Sequence, residues 1–588
     1  MSARPGPADA RLALLRRAVA ARPTDHNAAF ELALLLMDAG LPDQAVFHLD
    51  RARSLDPANI QYRGECTRAL LAAGKWQLAL PELERLAIEC PNLPPAWTNL
   101  SFALLSAGRV GEAEKACRRA LELDPDSPTA AGNLANLLCQ MARAGEGLRV
   151  IDAFLSRHPG DDFAHGARAF VSNYAEDLSP AIVRAAHESL AHARRGVLAA
   201  RGLAPTPTQS PRPQRRPDSP LRVGIVSPDL HDHPVATFLA GFLREHDRAA
   251  LHVTLYHTGD RADHITAALR ELVPSRVQAS AMSDRDLAQR IARDRIDVLL
   301  DLAGNTAANR LSVFALRPAP VQVTAIGYPS TTGEPAMDYR LVDSITDPPA
   351  HDHHITERPL RVDPCFLCYT PPPDTHPDAP PVSAAPMLAT GAPTFGSFNN
   401  VAKLSRRCVR TWAQVLQRVP RSRLLLKAQR LSDPGVSASV NALLAEAGID
   451  PARVELLPPT ATTREHLASY ALIDIALDTF PYNGTTTTCE ALFMGVPVVA
   501  LLGDRHAARV SASLLSAANQ QDLVAESPER FVEIAISLAA DAAALAHRRA
   551  SLRSALLASP LCDARAYARR LGEALRRIAD DAPKDSSS

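Results

Sequence analysis

Proline recurs every 34 residues across the first third of the 588-residue chain, at Pro23, Pro57, Pro91, Pro125 and Pro159. Gly40, Gly74 and Gly108 keep the same period, as do Ala45, Ala79 and Ala113, and Leu36, Leu70, Leu104 and Leu138. Leu32, Leu100 and Leu134 stand one helical turn before those leucines. Several registers sharing one period restrict this part of the chain to stacked copies of one supersecondary unit. Proline ends each helix pair because it has no backbone N–H to donate. Glycine forms the turn inside the pair, and the small alanine lets the two helices approach. The leucines form the stripe that each pair buries against the next. At the fourth copy, position 142 is Ala rather than Gly and position 147 is Gly rather than Ala, which predicts a degraded last unit.

A unit of this length and pattern resembles the tetratricopeptide repeat, a helix–turn–helix pair that stacks into an α-solenoid with a concave face for extended peptides. Residues 1–195 are assigned to this array, with 161–195 continuing helically, and residues 196–220 to a linker rich in proline (Pro205, Pro207, Pro211, Pro213, Pro217, Pro220). From Leu221 the pattern changes to short apolar runs at 222–227, 252–257, 296–302, 321–327 and 339–343, with helix-like stretches such as 284–294 between them. A second Pro-rich break covers 371–393, and the pattern restarts with runs at 394–398, 423–427, 454–457, 472–477 and 496–501. Continuous apolar strands alternating with helices predict parallel sheets covered on both faces. The expectation is two doubly wound, Rossmann-like α/β halves, 221–370 and 394–580, facing a cleft, and a disordered tail at 581–588. Ligands of such sheets bind at the carboxyl ends of the strands.

Composition removes several classes. Lys plus Arg and Asp plus Glu both number 64, so the chain lacks the basic excess that nucleic-acid binding needs. A hydrophobic fraction of 46% excludes a wholly disordered chain. No apolar run is long enough for a membrane span, and the first residues have no signal-peptide core. Nine scattered cysteines fit a reducing compartment rather than a disulfide framework, so a cytoplasmic location is expected.

The sharpest local string runs from Asp478 to Leu492, DTFPYNGTTTTCEAL. A strand ends near Asp478, Gly484 turns the chain, and hydroxyls at Thr485, Thr486 and Thr487 lead into a helix beginning about Thr487. Free backbone N–H groups, the positive helix end and several hydroxyls together suit a diphosphate. Glu490, one turn further, is placed to bond ribose hydroxyls. The string FNNVAKLS (398–405) also follows a strand and precedes a helix from Cys408 to Arg418, which places Lys403 and Asn400 at the cleft, where a cation neutralises a departing diphosphate without a metal. In the first half, SPDLHDHP (227–234) brings His233 to the end of a strand as a proton acceptor or substrate ligand. Asp301 and Asn305, after another strand, are assigned to the acceptor pocket. Cys365 and Cys368 have CxxC spacing without a second pair, and His351, His353 and His354 lack a distant partner, so no metal site is expected.

With these strings in place, the chain resembles the O-GlcNAc transferase/SPINDLY family of nucleotide-sugar-dependent protein glycosyltransferases. The matching segments are 227–235, 316–333, 338–349, 365–371, 395–405 and 478–499. The resemblance implies a GT-B fold with the donor in the C-terminal half, no cofactor or metal, and inverting transfer to Ser or Thr of proteins delivered along the repeat groove. It makes His233 the active-site histidine, Lys403 the diphosphate lysine, Thr486 and Thr487 the phosphate pair, and His466 a residue near the nucleotide. Thr485 stands where the animal branch has His, Thr463 where it has Lys, and Glu490 where it has Asp. The strings GTTTTCE and CFLCYTP are instead similar to the SPINDLY branch, whose plant members use GDP-fucose. The sequence therefore leads to transfer of GlcNAc from UDP-GlcNAc, with fucose from GDP-fucose, or a catalytically inactive peptide-binding scaffold, as alternatives. Homodimerisation through the array stays open.

Overall fold

The computed structural model describes residues 7–203, 219–372 and 379–581. Most of the Pro-rich linker (204–218), part of the second break (373–378) and all but the first residue of the tail expected at 581–588 lie outside the described residues. Four helix pairs form the repeats: His26–Asp38 with Pro42–Leu55, Ile60–Ala72 with Trp76–Glu89, Pro94–Ser106 with Val110–Leu123, and Pro128–Gln140 with Ala144–Leu155. The periodic prolines fall between pairs, and Leu32, Leu36, Ala45, Ala79, Leu104, Ala113, Leu134 and Leu138 are buried.

The fourth unit is not degraded, contrary to the sequence expectation. Ala142 takes the left-handed turn (φ 60°) that Gly40, Gly74 and Gly108 take at φ 71°, 72° and 78°. Gly147 packs so closely on the preceding helix that a Cβ there would lie 2.6 Å from the Ala135 carbonyl oxygen. The pair keeps the helix–turn–helix geometry of the other three.

Two further helices follow, Asp162–Ser172 and Pro180–Ala200. The second runs past the expected boundary at 195 and docks on the first α/β lobe. Arg195 pairs with buried Glu334 (2.6 Å), Arg194 donates to Asn305 (2.7 Å) and the His187 ring meets the Tyr328 hydroxyl (2.8 Å).

The first lobe is a seven-stranded parallel sheet built from β1 (Leu221–Ser227), β2 (Leu251–His257), β3 (Ser275–Gln278), β4 (Val298–Asp301), β5 (Val321–Thr324), β6 (Tyr339–Val342) and β7 (Arg358–Arg361), in the order β3-β2-β1-β4-β5-β6-β7. The second holds β8 (Thr394–Ser397), β9 (Arg423–Lys427), β10 (Val454–Leu457), β11 (Ile475–Leu477), β12 (Val498–Leu501) and β13 (Val524–Ala525), in the order β10-β9-β8-β11-β12-β13. Central strands are buried along almost their whole length, Val223 of β1 lying between Val253 and Val298, as two-sided covering by helices requires. The expected helix 284–294 is present as Asp284–Asp294, and the helix expected from Cys408 starts two residues earlier, at Arg406. Together the solenoid and the two doubly wound lobes make an α-solenoid followed by a GT-B fold.

The division at 394–580 needs one correction. The last helix, Ala564–Asp580, leaves the second lobe and packs on Pro234–Glu245 of the first. Tyr567 donates to the Phe366 carbonyl (2.8 Å), and Arg576 donates to that of Ala250 (2.8 Å). Among the described residues no helix is long and apolar enough to cross a membrane.

Candidate active site

Strand order reverses between β1 and β4 in the first sheet and between β8 and β11 in the second. At such a switch point the loops leaving adjacent strands diverge and open a crevice. The loops after β8 and β11 carry Lys403 and the threonine run.

Asp478, directly after β11 and only 1% exposed, organises the second loop. Its Oδ1 accepts from the Gly484 N–H (2.7 Å) and from Asn399 Nδ2 (3.3 Å), tying the turn to the loop after β8. Burial pushes this carboxyl up, against bonds from Ser511 and Gly484 and the attraction of Lys403. Position 484 must be glycine, because a Cβ would lie 2.6 Å from the Thr488 hydroxyl and 2.8 Å from that of Thr487. The helix Thr486–Phe493 then begins, one residue before the sequence-based start. Thr485 precedes it without a capping side-chain bond, so the hydroxyl does not consume the helix's first N–H groups. Thr487 donates to Asn399 Oδ1 (3.0 Å), and buried Thr488 bonds Ser511 (2.9 Å). The run thus divides into a structural hydroxyl at 488, one at 487 linking both loops, and partly exposed ones at Thr485 and Thr486.

Lys403 closes a 3-10 turn, Val401–Lys403. Its Nζ donates to the Asn483 carbonyl (2.7 Å) and lies 4.4 Å from the centroid of the Tyr482 ring. Burial pulls the ammonium down to about 8, against the opposing attraction of Asp478. Asn400, assigned to the donor site, uses its side-chain oxygen locally. Its Oδ1 caps the 3-10 turn by accepting from the Ala402 N–H (3.0 Å), and the neighbouring Asn399 takes the bridging role.

His466 and Glu490 meet each other. Glu490 Oε2 lies 3.1 Å from His466 Nε2 and accepts from the Tyr470 hydroxyl (3.3 Å). His466 Nδ1 faces Lys427 Nζ at 2.7 Å. Lys427 ends β9, and burial lowers its pKa while Glu490 raises it. Sequence reasoning missed this lysine, although a Lys closing the apolar run RLLLK was a readable signal.

In the first lobe His233 caps the helix Pro234–Glu245, its Nδ1 accepting from the Val235 N–H (3.3 Å). Burial lowers its pKa, and Asp229, with an oxygen 3.9 Å from Nδ1, opposes that. A neutral ring that accepts at Nδ1 carries its proton on Nε2. Its side chain is 38% exposed. Asp301 and Asn305 do not form an acceptor pocket. Asp301, 1% exposed, spends its oxygens on the Ala303 and Gly304 N–H groups and on Thr324, while Asn305 joins Arg194 to the Thr332 carbonyl. Both brace the loop after β4 against the end of the solenoid. Cys365 and Cys368 are buried, with burial pushing Cys368 up to about 12. Among the described residues no group of three or more His, Cys, Asp or Glu is arranged to hold a metal ion.

Comparison with known proteins agrees with the fold. A model for the tetratricopeptide repeat matches residues 104–169. A probable UDP-N-acetylglucosamine–peptide N-acetylglucosaminyltransferase SPINDLY of Petunia hybrida is 41% identical over 366 residues, covering 62% of this chain and 39% of its own. The protein of the same description in Arabidopsis thaliana is 40% identical, covering 62% and 40%. The chain therefore spans about two fifths of the curated relatives it matches. A solved structure, an O-GlcNAc transferase mutant of Thermobaculum terrenum, superposes with a TM-score of 0.80 at 34% identity, covering 90% of this chain and 98% of that one. The model for glycosyl transferase family 41 matches residues 183–367 and 383–571, more than half of the sequence, and the chain belongs to that family.

Proposed function

We propose that the chain is an inverting protein O-glycosyltransferase that moves a sugar from a nucleoside-diphosphate sugar to Ser or Thr hydroxyls. GlcNAc from UDP-GlcNAc is the first donor and fucose from GDP-fucose the second. One observation carries the reading: the Lys403 ammonium and the hydroxyl-rich helix start, joined through Asn483 and Asn399, stand together at the switch point of the second lobe. That pairing suits a diphosphate.

As the acceptor oxygen attacks the anomeric carbon, the bond to the diphosphate breaks on the opposite side and negative charge grows on the leaving phosphate. Lys403, the Thr486 hydroxyl and the helix N–H groups meet that charge without first reorganising, while Thr487 holds Asn399 between the two loops. His466 and Glu490 are assigned to the nucleoside end. His233, with its proton on Nε2, presents a donor rather than a base, which suits holding an oxygen of the acceptor or donor in line. The repeat groove supplies the extended acceptor. UDP-GlcNAc is placed first because of the names of the relatives, and GDP-fucose second because GTTTTCE is similar to the SPINDLY branch.

A panel of nucleotide sugars, read by donor hydrolysis and thermal shift together, tests this. One donor is expected to be turned over and its nucleoside diphosphate to raise the melting temperature. No shift with UDP or GDP leaves the scaffold reading instead. His233→Ala is expected to lose roughly a hundredfold or more in transfer through lost positioning, measured with saturating donor; full activity removes His233 from the site. A chelator such as EDTA is expected to leave turnover unchanged, since Lys403 supplies the positive charge.

The pH dependence follows from Lys403. The ammonium is the active form, and in the free protein it titrates at about 8. The value of kcat/KM is therefore expected to be level below neutrality and to fall as pH rises through about 8. A bound diphosphate favours the charged form, so the same limb in kcat lies at higher pH. Initial rates between pH 6 and about 10 check both limbs.

A further inference from the structure

The connector between the helices Asp162–Ser172 and Pro180–Ala200 is inserted against the second lobe. Arg505 donates to the Leu178 carbonyl (2.9 Å), and the Arg407 N–H, in the first turn after the Lys403 loop, donates to Glu176 (2.7 Å). Ala402, next to Lys403, belongs to an apolar cluster with Ala131, Ala135, Cys139, Val171 and Ala175 of the array. The Tyr174 ring stacks on Tyr482, with centroids 4.9 Å apart and planes 18° from parallel. Tyr482 therefore carries the solenoid's aromatic ring and the Lys403 ammonium at once.

We propose that Tyr174 is a positioning residue for the transfer: its ring, supplied by the helical array, fixes Tyr482 against the Lys403 ammonium, so that the array sets the geometry of the diphosphate site as well as carrying the acceptor. The inference rests on the assignment of Lys403 to the donor diphosphate. Tyr174, Tyr482 and Lys403 are each partly exposed, so the stack is not sealed in a core. An ammonium over an aromatic face is held in direction as well as in place, and Tyr482 alone, on a loop, does not fix that direction. The low titration point of Lys403 fits a head group stripped of water by this packing.

The test is the pH profile of kcat/KM for Tyr174→Phe and Tyr174→Leu in the full chain. The phenylalanine variant keeps the stack and is expected to match the parent in rate and in its alkaline limb. The leucine variant fills the space without a flat ring. It is expected to lose roughly tenfold or more in turnover through misplacement. Its alkaline limb is expected to move up by about one pH unit as water reaches the ammonium. An unchanged leucine variant overturns the proposal. So does a slower one whose limb stays where the parent's is, because that is a packing defect alone. Should Tyr174→Leu fail to fold, Tyr174→Met, which also fills the space without a flat ring and leaves Tyr482 in place, must show both changes. A fully active Lys403→Ala variant sinks the donor-site reading itself, whereas an inactive one beside an unaltered Tyr174→Leu sinks only this inference.

Discussion

Lys403→Ala is expected to lower turnover by roughly a hundredfold or more, the loss typical of removing one preorganised donor from a developing anion, while the melting temperature stays within a degree or two. The first half follows from position. The ammonium is fixed by the Asn483 carbonyl and the Tyr482 ring, and it stands beside the threonine turn where the leaving diphosphate is placed. The second half follows from the cost of keeping it there. Burial already disfavours the charged form, pulling the group to about 8, so its removal relieves a strained ionisation and leaves one carbonyl unpaired. Steady-state rates with the donor found by the panel, together with a melting curve, check both halves. A variant that turns over at the parent rate removes Lys403 from the mechanism.

The second large effect is on the junction of the lobes. Asp347, after β6 and 2% exposed, meets His506 Nδ1 of the second lobe at 2.5 Å, and Arg509 donates to the Ile345 carbonyl beside it (2.7 Å). Burial raises the Asp347 carboxyl, but His506 and Arg340 more than reverse this, so that it titrates at about 2. Asp347→Ala leaves buried Arg340 and His506 without that carboxylate, a loss worth about 3–5 kcal/mol for a buried pair. The melting temperature is expected to fall by several degrees. The sign with pH is fixed as well. A carboxyl whose folded pKa is depressed contributes stability above its unfolded value of about 4, and loses it as pH falls toward the folded one. Parent and variant are therefore expected to differ fully at pH 7 and to converge as the pH approaches 2. Melting curves across that range decide it; a constant difference contradicts the assignment.

The solenoid was legible because its contacts are local and repeat, so each packing role reappears at one spacing. The central strands were legible as continuous apolar runs. Of the edge strands only β10 was: β3 alternates half-buried and exposed residues, β13 has only two residues, and β7 carries two arginines among its four residues. The last helix showed an apolar face, but nothing local says that the face belongs to the first lobe. At the site, Lys403 and the threonine run were visible because turn and helix start form one string. Lys427 with His466, Asn399 with Thr487, and Tyr174 with Tyr482 were not, since each pair is made only when distant segments meet. Asp301 and Asn305 fail for the converse reason: a strand's carboxyl end offers a polar residue to the cleft, but whether loop N–H groups or a neighbouring arginine have already taken it depends on the whole fold.

Lys403 and the turn at 484–487 are assigned to the diphosphate of the donor. Calorimetric titration of UDP and GDP into the parent and into Lys403→Ala tests that assignment most directly. Saturable binding of one nucleoside diphosphate to the parent is expected. Affinity in the variant is expected to be at least about tenfold weaker, the cost of a lost charge-assisted bond. Equal affinity in the two proteins would contradict it.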